Sequence, residues 1–487
     1  MNTNILDLEP KAIWKNFSAL NAVPRPSKKE ERIIAFMVAF GNNLGLQTQV
    51  DQIGNVIIKK RATKGMENRK TVVLQSHLDM VHQKNNDTVF DFDTQGIKMY
   101  IDGDWVRAKG TTLGADNGLG VAAIMSVLES DTIVHPNIEA LFTIDEETGM
   151  TGAKNLKAGY LDGEILLNLD TEDDDEIDIG CAGGIDITAT KTYTQVKPAT
   201  NSSALKITLT GLNGGHSGMD IHKGLGNANK LMNRLLYNLQ AFDFNISEIN
   251  GGSLRNAIPR EGTAIVVLPS AKLNEFTKEI AKQNTVFNEE FHKVDPNLTL
   301  KTELISLPDF MMDSAIQKSL IQSIYAAHNG VYKLSLDFDD LVETSNNIAK
   351  VVVKDGQIKI NCLTRSSVES TKYDLAHKLK AAFELGDFNV EFSGAYPGWK
   401  PNPDSPILHV LSALYEKTFS KKPAIEACHA GLECGILGTN YPDMDMISFG
   451  PTIQGAHSPD ERASISSTQK FWLFLQEILK EIPVRES

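Results

Sequence analysis

Short apolar runs that end in polar residues recur in the outer parts of the 487-residue chain. They include the segments 71–77, 138–145, 165–170 and 444–450. A segment of helical periodicity that opens with GADNGLG separates the first two runs. Continuous apolar strands that alternate with helices indicate a mostly parallel sheet with helices on both faces. We therefore predict an α/β domain, with ligands beyond the carboxyl ends of its strands.

Two segments rich in glycine and proline, at 180–186 and 393–406, divide the chain, and such segments often mark boundaries. Between them strand and helix patterns alternate, and Leu231, Leu235 and Leu239 give one helix a buried face. We predict a discontinuous catalytic domain over residues 1–186 and 398–487. Residues 187–397 would form an inserted α+β lid or dimerisation domain, which could consist of two related halves.

Composition narrows the class of protein. The chain is longer than one core of roughly 250–300 residues allows, and its 41% hydrophobic and 23% charged content is that of a soluble globular protein. No apolar run reaches the ~20 residues of a membrane span, and the start shows no signal peptide. The four cysteines have no CxxC spacing, which fits a reducing cytoplasm. A net charge of −14 argues against nucleic acid or an anionic membrane as partner.

Metal-ligand side chains follow the predicted buried strands or begin the helix between them. Each has an ordinary explanation alone, such as a helix cap or a solvated turn, but one shared site explains them together. Two histidines and three carboxylates give each of two divalent ions an imidazole and a terminal carboxylate, with one carboxylate left to bridge. Such ligands suit zinc, with cobalt or manganese as alternatives. The candidates are His77, Asp116, one of the adjacent pair Glu146 and Glu147, Asp170 and His457, and the other glutamate of the pair could transfer protons.

These motifs resemble the M20 metallopeptidase family, and within it the Xaa-His dipeptidase branch. The resemblance is carried by SHLDMV, GTTLGADNGLGVA, TIDEETGMTGA, LNLDTED and GPTIQGAHSPDE, and in the insert by GGHSGMDIHKGLGNA and GGSLRNAIP. It runs in order from near residue 75 to near residue 465. No single motif is specific, but the ordered set is.

The resemblance implies a role for each candidate residue. His77 and Asp170 would bind one metal, Glu147 and His457 the second, and Asp116 would bridge them. Asp79 would steady His77, Glu146 would be the general base, and His216 of the insert would stabilise the oxyanion. Asn256 and Arg365 match substrate-binding positions, although Arg365 stands in LTRSS where many relatives have an Asp-x-Arg strand. His429 and Glu433 in HAGLECG are further candidates for substrate or supporting contacts, or else part of a polar loop.

The implied activity is hydrolysis of Xaa-His dipeptides, including the β-alanyl-histidine type, by a dinuclear metallodipeptidase. The metal motifs do not separate this activity from that of a tripeptidase or an N-acyl-amino-acid deacylase. An inactive peptide- or metal-binding protein is the alternative from another class. The resemblance allows a monomer or a homodimer, and it leaves open whether His216 acts in its own chain. In either case the insert must close over the catalytic domain before the reaction.

Overall fold

The computed structural model describes residues 4–85, 87–338 and 341–485. Contacts divide the chain into two units: the first runs up to Gly180 and includes Pro401–Ala427 and the residues from Leu432, and the second comprises Cys181–Lys400 and Cys428–Gly431. The predicted boundaries, 186 and 398, therefore differ from the observed ones by a few residues. The reason is that Cys181 and Trp399 exchange backbone hydrogen bonds of 2.8 and 2.9 Å, which places residues 181–186 in the second unit.

The strands are numbered β1–β25 in chain order. They are Gln47–Val50, Val56–Lys60, Val72–His77, Met99–Asp102, Trp105–Ala108, Ile138–Thr143, Ile165–Asn168, Glu176–Cys181, Gly183–Thr192, Gln195–Val196, Ser202–Thr210, Gly215–His216, Asn245–Gly251, Ala257–Ile258, Gly262–Pro269, Thr299–Ile305, Met311–Met312, Gly330–Leu334, Val342–Lys354, Gln357–Ser366, Asn389–Tyr396, Ala424–Cys428, Asp445–Ser448, Ile453–Gln454 and Arg462–Ser464.

The helices are numbered α1–α12 in the same way. They are Lys11–Asn21, Glu31–Asn43, Ala115–Glu129, Glu146–Gly149, Thr151–Asn155, Ala228–Asn238, Leu273–Phe291, Ser314–Ala326, Glu369–Glu384, Pro406–Phe419, Glu433–Asn440 and Ile465–Glu481. Short 3-10 helices lie at Ile5–Asp7, Ile221–Lys223, Gln240–Phe242 and Ser270–Lys272. No helix in the described part of the chain is long and apolar enough to cross a membrane.

The first unit contains an eight-stranded sheet in the order β1-β2-β6-β3-β7-β23-β8-β22. Its central strands β6, β3, β7 and β23 are mutually parallel, whereas the pairs β1–β2, β2–β6 and β23–β8 are antiparallel. The predicted α/β class with an inserted α+β lid is confirmed, and the parallel pairing is confined to these central strands. As a result, the carboxyl ends of four neighbouring strands meet at one edge of the sheet.

Helix α3 packs on β3 and on α1 so closely that nearly every one of its residues is buried. Gly120 lies at a close contact between α3 and the ends of β3 and β7. A Cβ at this position would lie 2.6 Å from the backbone oxygen of Leu169 and 2.5 Å from Ser76 Oγ. The glycine therefore allows the start of α3 to lie directly against the ends of β3 and β7.

The second unit is built on an antiparallel sheet in the order β16-β11-β15-β13-β19-β20-β9-β21, with β18 added beside β19. The hypothesis of two related halves agrees with this order. The chain sequence β11-α6-β13-β15-α7-β16 and the chain sequence β9-α8-β19-β20-α9-β21 each fold into the same strand order, fourth-first-third-second. The two halves join where β13 pairs with β19. The first half is inserted between the first strand and the first helix of the second half.

Candidate metal centre

The predicted metal-ligand residues of the first unit come together at the carboxyl ends of the parallel strands. His77 is the last residue of β3, Glu147 lies in the one-turn helix α4 that follows β6, and Asp170 follows β7. Asp116 lies at the start of α3, and His457 lies in the loop between β24 and β25. These five residues form two groups whose ligand atoms all lie within 4.8 Å of one another: His77, Asp116 and Asp170 in one, and Asp116, Glu147 and His457 in the other.

Asp116 belongs to both groups and presents a different oxygen to each. Its Oδ1 lies 3.1 Å from His77 Nε2, which is also 3.6 Å from Asp170 Oδ1. Its Oδ2 lies 3.2 Å from His457 Nε2, which is 3.0 Å from Glu147 Oε2. This is the geometry expected of a carboxylate that bridges two cations.

The electrostatics of the site show an excess of negative charge that bound cations would neutralise. Burial raises the pKa of Asp170 to about 7, and the neighbouring Asp116 and Glu147 contribute to the rise. Hydrogen bonds to Asp116 and Glu147 raise the pKa of His457 to about 11. The His457 imidazole is therefore protonated, and it would have to lose this proton to bind a metal ion. Glu147 Oε1 is buried and lacks a hydrogen-bond partner in the described structure, so the donor set fits a metal.

Glu146 and Asp79 lie beside these groups. Burial raises the pKa of Glu146 well above its ordinary value, with repulsion from Glu147 and Asp170 acting in the same direction. The Asp79 carboxylate accepts the backbone N–H groups of Glu146 (3.0 Å) and Glu147 (3.3 Å). His77 Nδ1 lies 3.2 Å from the backbone oxygen of Asp79 and 3.4 Å from its Oδ1. Asp79 therefore supports both the imidazole and the turn that carries the two glutamates.

A third acidic group lies behind that turn and consists of Glu30, Asp79 and Asp145. Its carboxylates are already satisfied by the protein. Glu30 Oε1 accepts the backbone N–H of Lys28 at 2.8 Å and that of Asp145 at 3.1 Å. This group therefore acts as a support for the turn.

Buried polar side chains joined by hydrogen bonds cross the sheet next to the ligands, and we call them the polar layer. It consists of Glu433, Thr143, Gln75, Asn168, Ser448, Thr171 and Asp178. Gln75 Nε2 and Thr143 Oγ1 both donate to Glu433 Oε2 at 2.6 Å. Asn168 joins Gln75 to Ser448 through hydrogen bonds of 2.5 Å on either side, and Thr171 connects Ser448 to Asp178 at 2.8 Å. Glu433 is thus a buried member of the floor of the site.

Three residues outside the sequence-predicted candidates hold the ligands in place. Glu461 and Arg25 bind the segment that leads to Asp116, and Asn117 donates to the backbone oxygen of Leu169 (2.8 Å) and to the carboxylate of Asp170. Glu461 and Asn117 stand inside the quoted motifs, so their place near the ligands was a usable signal. Arg25 stands about fifty residues before His77 and carried no signal.

The remaining candidates lie in the second unit, where His216 and Arg365 come together. His216 Nδ1 accepts the backbone N–H groups of Met219 (3.1 Å) and Gly218 (3.3 Å). In a neutral ring these two donors place the proton on Nε2. Arg365 Nη2 lies 3.4 Å from that nitrogen, and its Nη1 donates to Tyr396 Oη at 2.9 Å.

Asn256 is held next to His216 by a short strand pair. His216 pairs with Ala257 in the β12–β14 ladder, and the backbone oxygen of Asn256 accepts from Ser217 N at 2.8 Å. The side chain of Asn256 is exposed. Asn256, Arg365 and His216 therefore all lie in the second unit.

His429 also belongs to the second unit, whereas Glu433, four residues later, belongs to the first. His429 is buried, and its Nε2 hydrogen-bonds Ser345 Oγ at 2.8 Å. Burial and the nearby charge of Arg365 lower its pKa to about 3, so the imidazole is neutral. The HAGLECG segment thus contains two residues with separate surroundings.

The fold and the paired ligand groups indicate a protein with a dinuclear metal site, because acidic and histidine side chains lie close together at the carboxyl ends of a central parallel sheet. Comparison with known families makes the assignment specific. Residues 73–481 match the description "Peptidase family M20/M25/M40", and the chain belongs to this family.

Two relatives match nearly the whole chain. The cytosol non-specific dipeptidase of Escherichia coli K12 is 42% identical over 484 residues, which cover 99% of this chain and 100% of that protein. The crystal structure of an aminoacylhistidine dipeptidase from Vibrio alginolyticus is 44% identical, covers 99% of both chains and has a TM-score of 0.89. The aminopeptidase PepT from Bacillus cereus, at 16% identity, a TM-score of 0.57 and coverage of 98% and 99%, shares the fold.

Proposed function

We propose that this protein is a dinuclear metallodipeptidase that hydrolyses Xaa-His dipeptides, including those of the β-alanyl-histidine type. The observation that carries the proposal is that Asp116 is shared by two complete ligand groups with Glu146 beside them. The choice of substrate is supported by the two full-length relatives, both named as dipeptidases.

The five ligand residues would hold two divalent ions, and we propose zinc as the native metal, with cobalt or manganese as the alternatives to test. When bound, such ions supply positive charge that polarises a carbonyl group and lowers the pKa of water toward ~7. The orphaned Glu147 Oε1 and the mutual repulsion of the carboxylates support this assignment.

Glu146 is proposed as the general base. Its carboxylate would accept a proton from the attacking water and return it to the leaving amine, which requires a pKa near the working pH. The raised pKa of Glu146 has the required direction. The hydrogen bond from its backbone N–H to Asp79 fixes the turn from which the side chain projects.

His216 and Arg365 are proposed to act on the substrate from the second unit. A neutral His216 with its proton on Nε2 is a donor suited to a developing oxyanion, and loss of such a donor typically costs about 10²–10³ in turnover. Arg365, held by Tyr396, offers a guanidinium to the terminal carboxylate of a short peptide. Asn256 would bind the substrate backbone. His429 is proposed to support the Arg365 region from its contact with Ser345.

We propose that the protein works in the cytoplasm on small peptides. The acidic composition and the name of the cytosolic relative support this location. Nucleic acid and membrane are not among the proposed partners, and both a monomer and a homodimer are compatible with the proposed mechanism.

The proposal is tested by removing metal with a chelator and adding back zinc, cobalt or manganese. Hydrolysis of β-alanyl-histidine, alanyl-histidine, alanyl-alanine, a tripeptide and an N-acetyl amino acid is then followed. We expect metal-dependent cleavage of the X-His dipeptides. Cleavage of only the tripeptide or the acylated amino acid would replace the substrate assignment with the tripeptidase or deacylase activity. Binding of two ions without any hydrolysis would favour an inactive binding protein.

The Glu146→Gln variant tests the mechanism within the same assay. Turnover should be lost while two ions remain bound, because the glutamine cannot accept a proton. Glu176→Gln is the matched control, since Glu176 is an acid whose pKa burial raises to about 7 but which is not in either ligand group. Retained activity of Glu146→Gln would contradict the role assigned to Glu146.

A further inference from the structure

Glu461 occupies an unusual position, because its carboxylate binds four consecutive backbone N–H groups. Oε2 accepts from Leu113 (2.6 Å) and Gly114 (2.9 Å), and Oε1 accepts from Ala115 (2.7 Å) and Asp116 (3.3 Å). The side chain is buried and does not belong to either ligand group. It therefore fills the anion-binding nest at the N-terminus of the fifteen-residue helix α3, immediately before the bridging side chain.

Arg25 binds the same segment through a backbone carbonyl oxygen. Its Nη2 donates to the backbone oxygen of Gly114 at 2.5 Å, and its Nη1 donates to those of Leu78 (3.1 Å) and Asp79 (3.0 Å). The guanidinium is buried, and although burial lowers its pKa to about 10, it remains charged at neutral pH. One side chain thus joins the end of the strand that carries His77 to the segment that carries Asp116.

This support matters because the backbone at Asp116 is not held by helix geometry. Asp116 (φ −80°, ψ 111°) and Asn117 (φ −104°, ψ 29°) depart from helical values inside α3. Each Asp116 oxygen must nevertheless face a different ligand group, and such sites tolerate errors of only about 0.5 Å. The orientation must therefore come from contacts outside the helix.

We propose that Glu461 and Arg25 are positioning residues that form a buried clamp and hold Asp116 in its bridging orientation before metal binds. The inference rests on the dinuclear centre of the proposed function. It assigns to Glu461 and Arg25 a role in metal affinity that a purely structural contact would not have. Outer contacts of this kind typically change metal affinity by 10–100-fold.

The first test compares Glu461→Gln with the wild-type protein in a chelator-competition titration of zinc. The glutamine keeps the size of the side chain, but its amide NH₂ would face backbone N–H groups of residues 113–116, which need an acceptor. We expect a 10–100-fold weaker affinity for at least one ion and an altered spin coupling in the electron paramagnetic resonance spectrum of the dicobalt protein. Arg25→Lys, which keeps the charge but loses the fork, should act in the same direction.

Asp51→Asn is the matched control. Asp51 is also a buried carboxylate that accepts three backbone N–H groups, from Ile53, Gly54 and Asn55 at 2.8–3.0 Å, but it belongs to none of the ligand groups. Its variant should lower stability without changing zinc affinity. A folded Glu461→Gln protein with wild-type zinc affinity and an unchanged dicobalt spectrum would overturn the proposal.

Hydrogen exchange of the wild-type protein tests the clamp without any substitution. The amides of residues 113–116 should be protected in the chelator-treated protein, since Glu461 binds them in the absence of metal. Rapid exchange there, with protection only after zinc is added, would show that metal orders the segment and would also overturn the proposal. If the wild-type protein does not bind two ions, it is the proposed function that fails.

Discussion

Glu433 provides a direct test of the electrostatics beneath the site. It is completely buried at the start of α11, one oxygen accepts from Gln75 and Thr143, and the other lacks a hydrogen-bond partner in the described structure. Burial raises its pKa from 4.5 to about 7, and the charges of Asp170 and Asp79 add to the rise. The substitution Glu433→Gln removes this titration and keeps the shape and the accepting oxygen.

The size of the effect follows from the pKa. Each pKa unit corresponds to ~1.4 kcal/mol, so a rise from 4.5 to about 7 corresponds to about 3 kcal/mol. Because the folded state binds the proton more tightly than the unfolded state, the wild-type protein has this stability below pH ~4.5 and loses it as the pH rises to ~7. The glutamine variant loses nothing in this range. The stability of Glu433→Gln relative to wild type should therefore increase by about 3 kcal/mol between these pH values.

The assay is the thermal midpoint of chelator-treated protein at intervals from pH 4 to pH 8 at constant ionic strength. For a unit of this size ~1 kcal/mol corresponds to about 2 °C, so the difference between the two midpoints should change by ~6 °C. Thr143→Val is a useful companion, because it removes a donor to the carboxylate and should move the wild-type loss of stability to higher pH. A midpoint difference that stays constant with pH would refute the reasoning.

The remaining predictions concern the ligands and the second unit. Gly120→Ala would place a Cβ 2.6 Å from the backbone oxygen of Leu169, so α3 must shift; zinc affinity should fall at least ~10-fold, whereas Gly438→Ala, whose Cβ would meet Met446 at an ordinary 3.6 Å, should bind zinc normally. Equal affinities would show that the helix can move without cost. Asp79→Asn should lower kcat by ~10–100-fold with two ions still bound, since it removes the carboxylate that accepts Glu146 N and faces His77; unchanged kcat would contradict this positioning role. A mixture of His216→Ala and Asp116→Ala proteins should stay inactive if His216 acts in its own chain, whereas recovered activity would show that it acts across subunits.

Much of the site could be predicted because its ligands follow buried strands. An apolar strand that ends in a histidine or an acid can be recognised in the sequence. Parallel pairing then brings such strand ends together, as His77 and Asp170 show. Part of the polar layer could also be predicted, because Gln75 and Asn168 stand two residues before these ligands and share their face of the sheet. Its hydrogen bonds to Glu433 depend on packing across 358 residues of chain, which local patterns do not contain.

The clamp shows a second limit of sequence reasoning. Glu461 lies four residues after His457, but its function depends on the backbone N–H groups of residues 113–116, which every sequence contains. Backbone partners leave no compositional trace, so only its place in the motif around His457 sets Glu461 apart, and nothing in the sequence sets Arg25 apart. The observed domain boundaries differ from the predicted ones for a related reason, because backbone hydrogen bonds to Trp399 place Cys181 in the second unit.

The topology of the second unit explains why its substrate-side residues are scattered along the chain. His216 lies between β11 and α6 of the first half, whereas Arg365 lies on β20 of the second half. Neither half contains both, and they approach within 3.4 Å because the β13–β19 pair makes one continuous sheet from the two halves. The nested arrangement of the two halves in one sheet therefore accounts for the cluster.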